Sequence, residues 1–86
     1  MSLLIKLKKE YIDTLKICLE HHKEDLLWVV ESEKDIKIDE ALGNELREAV
    51  GNELMEYGFC GDIPNKYGLL LEDLIDVIGR QFINNI

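Results

Sequence analysis

Apolar residues recur along the first segment at the spacing of one helical face. At about 100° per residue, Leu4, Leu7, Tyr11, Leu15, Cys18, Leu19, His22, Leu26 and Val29 fall on one stripe, and Lys6, Lys9, Glu10, Asp13, Lys16 and Glu20 fill much of the rest. This pattern predicts a helix over 4–22. A second, shorter helix over 24–32 either continues it or restarts after a break near His22-Lys23. Because Leu26-Leu27-Trp28-Val29-Val30 is apolar on every side, period alone leaves a short strand as the alternative there. Ile36 and Ile38 alternate with Lys37 and Asp39, a weak extended signal.

A third stripe, Leu42, Leu46, Ala49, Val50, Leu54 and Tyr57, predicts a helix over 39–57. Asp39 stands where a side-chain oxygen caps the first turn, and Gly58 stands at the C-terminal stop. Gly43 and Gly51 each weaken the helix interior by roughly 1 kcal/mol relative to alanine. They predict close approach of a neighbouring helix, or a local bend. The stretch 58–65 carries Gly, Asp, Pro and Asn, the usual turn chemistry, with Phe59 and Ile63 expected to tuck inward and Asn65 to cap the last helix. Tyr67, Leu70, Leu71, Leu74, Ile75, Val77, Ile78 and Phe82 then give a broad apolar face over 66–84, wide enough to predict that this helix is central. The fold class is therefore all-α, a small bundle of three to four helices (4–22, 24–32, 39–57 and 66–84) forming a single domain over 1–86.

Length and charge narrow the function. Eighty-six residues hold one modest core, and chains this short are often helped by a partner or a second copy. The net charge of −8 is uneven. Residues 1–37 carry seven lysines against eight acids, whereas residues 38–86 carry Arg47, Lys66 and Arg80 against ten acids. Such a surface disfavours nucleic acid and anionic membranes and favours basic partners. No apolar run approaches the roughly 18 residues of a membrane span, and the N-terminus lacks the apolar core and cleavage site of a signal peptide. The expected setting is cytoplasmic, with Cys18 and Cys60 reduced.

Candidate chemistry is sparse. Cys18 and His22 are four apart, half of a metal site to which Cys60 could add a third ligand, but no C-x-x-C, H-x-x-x-H or H-E-x-x-H accompanies them. Both lie in the apolar stripe, where a thiol and an imidazole ordinarily serve as core-edge groups. Gly58, Gly61 and Gly68 match no phosphate-binding pattern, and no loop has calcium-site spacing. The sequence thus assigns no catalytic residue, no metal ligand and no cofactor, and the protein is not expected to be an enzyme.

Two surfaces remain as candidates for a partner. Glu45, Glu48 and Glu56 project within roughly 80° of one another, with Glu53 near the edge of the apolar stripe, and form an acidic ridge suited to a basic partner. If the first helix is continuous, Ile17, His21 and Trp28 fall together opposite the main stripe with Leu3. Another helix of the same chain, or a partner, would then cover them.

In length, acidity and helical pattern the chain resembles bacterial nuclease-colicin immunity proteins. Those proteins bind a basic toxin domain through an acidic helix and a Tyr-Tyr-Pro segment. Here only the isolated Tyr57 and Tyr67 stand in that region, so the resemblance transfers no residue. It implies a toxin-neutralising role with a basic protein partner. The expected function is an acidic bacterial protein–protein interaction module, of immunity or antitoxin type. The alternatives are a structural homodimer without catalysis, and a small metal-binding protein using Cys18 and His22.

Overall fold

A computed structural model describes residues 8–31 and 38–80 as a small all-helical bundle with one two-stranded hairpin. Helix α1 spans Lys9–His22. It starts without a side-chain cap, the carbonyl of Lys8 accepting from the amides of Tyr11 and Ile12 at 3.0 and 3.1 Å. It ends where Lys23 leaves helical geometry at φ −146° and ψ 64°. A 3₁₀ turn over Glu24–Leu26 redirects the chain, and one further turn, α2, covers Trp28–Glu31. Between the two readings of 24–32 the structure therefore selects a break and restart, and the run from Leu26 to Val30 ends a 3₁₀ turn and enters a helical turn through Leu27 rather than forming a strand. The predicted helical positions 4–7, 32 and 81–84 lie outside the described residues, as do Leu3 and Ile36.

Helix α3, Glu40–Tyr57, begins as the sequence predicts, with Asp39 Oδ1 accepting from the Leu42 amide at 2.8 Å. Strands β1 (Phe59–Cys60) and β2 (Ile63–Pro64) pair antiparallel, Cys60 opposite Ile63. Gly61 makes the turn at φ 67°, a conformation glycine adopts without a Cβ penalty. Helix α4, Lys66–Ile78, is capped by Asn65, whose Oδ1 accepts from the Gly68 amide at 2.7 Å. The same Asn65 donates through Nδ2 to the Tyr57 carbonyl and through its amide to the Gly58 carbonyl, each at 2.9 Å, tying the end of α3 to the start of α4.

The core is Leu15, Cys18 and Leu19 from α1, Val29 from α2, Leu46, Ala49 and Val50 from α3, and Leu71, Leu74 and Ile78 from α4, all fully buried. Each such aliphatic side chain contributes about 1.5–3 kcal/mol on leaving water. The central helix is α3, which packs along both α1 and α4, whereas α1 and α4 touch only briefly. The sequence points to 66–84 instead. Its broad apolar face is not all covered: Leu70, Ile75 and Val77 are only half-buried.

The two glycines within α3 differ from each other. Gly43 is buried, whereas a Cβ at Gly51 would meet nothing within 4 Å, so no helix among the described residues approaches there. The close approach is between Gly58 and Gly68, where a Cβ on Gly68 would overlap the Gly58 carbonyl oxygen. Phe59 and Ile63 do not tuck inward. They stay 39% and 71% exposed, because strands of two residues are too short to lay a face on the core.

Candidate functional site

One carboxylate organises the polar interior. Glu53 follows Leu46, Ala49 and Val50 on the inner face of α3 and is 1% exposed. Two histidines close the last turn of α1 and reach it: His21 Nδ1 lies 2.8 Å and His22 Nε2 2.9 Å from the same oxygen, Glu53 Oε1. Tyr67, in the first turn of α4, donates its hydroxyl to the other oxygen, Oε2, at 2.5 Å. Side chains from α1, α3 and α4 thus converge on one group. An ionised carboxylate only accepts, so both ring nitrogens that face it carry protons. No buried polar side-chain atom among the described residues lacks a partner.

The electrostatics reflect this arrangement. Burial alone would raise the Glu53 pKa, but the hydrogen bonds from Tyr67, His21 and His22, together with the charge on His21, hold it below the ordinary carboxylate value. His21 is raised, first by its hydrogen bond to Glu53, against some desolvation, and then by the charges of Glu53, Glu20 and Glu56. Burial and then the bond to Glu53 push the Tyr67 phenol upward, so it stays a donor. Burial, with the Glu53 charge adding to it, pushes the Cys18 thiol up to about 12, so it stays protonated and inert.

The acidic ridge is only partly as expected. Glu45 and Glu48 are half-exposed, but both face Lys23 at the end of α1, whose ammonium lies 2.5 Å from Glu45 Oε2 and 3.3 Å from Glu48 Oε1. Glu56 is exposed. Glu53 does not belong to the ridge; its position four residues after Ala49 and seven after Leu46 turns it inward. The second expected face also comes apart. Ile17 and Trp28 are 41% and 49% exposed, so no helix among the described residues covers them, and the break at Lys23 removes the continuous helix that would align them. His21 is half-exposed but engaged with Glu53 and packs against Tyr57 at a ring separation of 5.7 Å. The Cys18–His22 pair is not a site either. His22 turns to Glu53, Cys18 is sealed in the core, and Cys60 is exposed on the hairpin.

What sequence reasoning missed was the trio His21, His22 and Glu53, together with Tyr67. A signal was present. Glu53 stands at the edge of the α3 stripe and Tyr67 within that of α4, and a carboxylate and a phenol that become buried must find partners. A second feature was also missed. Met55, Tyr57, Phe59, Ile63 and Leu69 are five of the seven exposed large hydrophobics among the described residues, and all belong to the α3–hairpin–α4 corner.

The fold and this polar centre define a small helical bundle whose three longer helices meet on a buried carboxylate. No protein-family model matches the chain, and comparisons with curated proteins and with solved structures give no match.

Proposed function

We propose that the protein is a bacterial protein–protein interaction module that engages a basic partner through the corner formed by the end of α3, the hairpin and the start of α4. The observation that carries this reading is the concentration of exposed Met55, Tyr57, Phe59, Ile63 and Leu69 within fifteen residues of chain. Exposed apolar side chains gathered in one region, with acids beside them, are the ordinary composition of a docking surface. Glu56 and Asp62 lie in the same stretch, and the surrounding half of the sequence carries most of the −8 net charge. An immunity or antitoxin-type inhibitor, acting in the cytoplasm, is the concrete form that fits this chemistry. Among the described residues no helix is long and apolar enough to cross a membrane. Self-association through the same corner is the competing reading, and the like charge of two copies works against it.

Mixing the protein with the basic proteins encoded by its neighbouring genes tests the proposal. The expected result is a 1:1 complex that weakens steeply with added salt and is lost in Tyr57→Ala. Absence of a salt-sensitive complex with every one of them would reject it. A concentration-dependent dimer by sedimentation, itself broken by Tyr57→Ala, would favour the homodimer instead.

A further inference from the structure

We infer that His21, His22 and Glu53 form a binding site for a divalent transition-metal ion of the zinc class, with Tyr67 as its positioning residue. Their ligand atoms lie within 4.8 Å of one another. Imidazole nitrogens with a single carboxylate oxygen suit zinc, cobalt, nickel or copper; magnesium and calcium prefer more oxygen ligands.

The spacing supports this. An ion bonded at about 2.0–2.1 Å to nitrogen and oxygen spaces neighbouring ligand atoms by about 2.9 Å in octahedral and about 3.4 Å in tetrahedral geometry. Glu53 Oε1 stands 2.8 and 2.9 Å from the two ring nitrogens. Octahedral spacing is therefore met on these two edges; the third, between the two ring nitrogens, lies within 4.8 Å and must close to about 3.4 Å for tetrahedral coordination, while the first two open by about half an ångström. On binding, the protons now on His21 Nδ1 and His22 Nε2 leave for solvent or for the other ring nitrogen, and the cation takes their place. Glu53 keeps its negative charge and supplies the third ligand.

Three surrounding features favour a cation at this point. Tyr67 already holds Oε2, leaving Oε1 aimed at the histidines, as an outer-shell hydrogen bond does for a ligating carboxylate. The histidines occupy the last turn of α1, where the partial negative charge of the helix end favours a cation. Lys23, the nearby cation of the chain, is engaged by Glu45 and Glu48 instead of Glu53. His21 is half-exposed, so the ion has a path in and a coordination position open to solvent.

Calorimetric titration of the untagged full chain with Zn²⁺, and absorption titration with Co²⁺, test the site. We expect saturable 1:1 binding, a Co²⁺ spectrum without thiolate charge transfer, and no comparable response to Mg²⁺ or Ca²⁺. His21→Gln, on the surface and compatible with folding, should abolish the 1:1 event. Tyr67→Phe should retain it with affinity reduced about 10–100-fold. No saturable Zn²⁺ binding by wild type overturns the inference. So does binding that survives His21→Gln, or that is lost in Cys60→Ser with thiolate charge transfer in the wild type. His21 also packs against Tyr57 of the corner, so the two readings are separated by measuring partner binding in the metal-free protein and metal binding with no partner present.

Discussion

Glu53 shows how one residue's environment sets its chemistry. A carboxylate in the core of a helical bundle is unfavourable unless both its oxygens are met by donors. Here two imidazoles and a phenol meet it. Glu53→Gln keeps the shape but removes the charge and turns an amide donor toward one of those donors. It should destabilise the metal-free protein by about 1–3 kcal/mol in urea unfolding. The pair also fixes a pH optimum. Glu53 has its folded pKa lowered from an ordinary 4.5, so its contribution is complete above that value and disappears as pH falls through the depressed one. His21 is raised from an ordinary 6.5, so its contribution is complete below that value and disappears as pH rises through the elevated one. The Glu53–His21 contribution is therefore complete between about pH 4.5 and 6.5. Urea midpoints of wild type and His21→Gln across pH should differ most in that window and converge on its alkaline side. A difference that is constant with pH would contradict this coupling.

At the scale of elements, the contact of α3 with α4 depends on two glycines and an asparagine. Gly68→Ala places a Cβ against the Gly58 backbone, which cannot yield as a side chain can. That substitution should cost about 3 kcal/mol or more, measured by chemical denaturation. Gly51→Ala is the opposite case. It sits in α3 with open space around it, and should stabilise by about 0.5–1 kcal/mol. The helices themselves are plain in the sequence. Asp39 and Asn65 cap where turn chemistry places them, and the stripes of α1, α3 and α4 reach the core as the 3.6-residue period requires. Which glycine makes the close contact is not legible, because a glycine within a helix and one at its end look alike until two backbones are set side by side.

At the scale of the whole molecule, uncovered apolar area and uneven charge act together. If the hairpin corner is the docking surface, Met55→Asp should leave the thermal midpoint nearly unchanged, since Met55 is 76% exposed, while lowering affinity for the basic partner by at least about tenfold. Equal loss of stability and affinity would instead make the residue structural. The ridge of Glu45 and Glu48 should matter less to affinity, since Lys23 already shares their charge, and exposed pairs of this kind are worth little individually.

Periodicity determined that this chain is helical, where three of its helices lie and which of their apolar positions face inward, and the charge count determined which half is acidic. These are local properties, repeated every turn and readable along one strand of sequence. Only the tertiary structure decided that α3 is the central helix, that the first segment breaks at Lys23, and that Glu53 is buried. It also decided that His21 and His22 share one oxygen with a residue more than thirty positions away. Those outcomes depend on which faces meet, and a carboxylate at the edge of a stripe is wet or buried according to what the neighbouring helices bring to it.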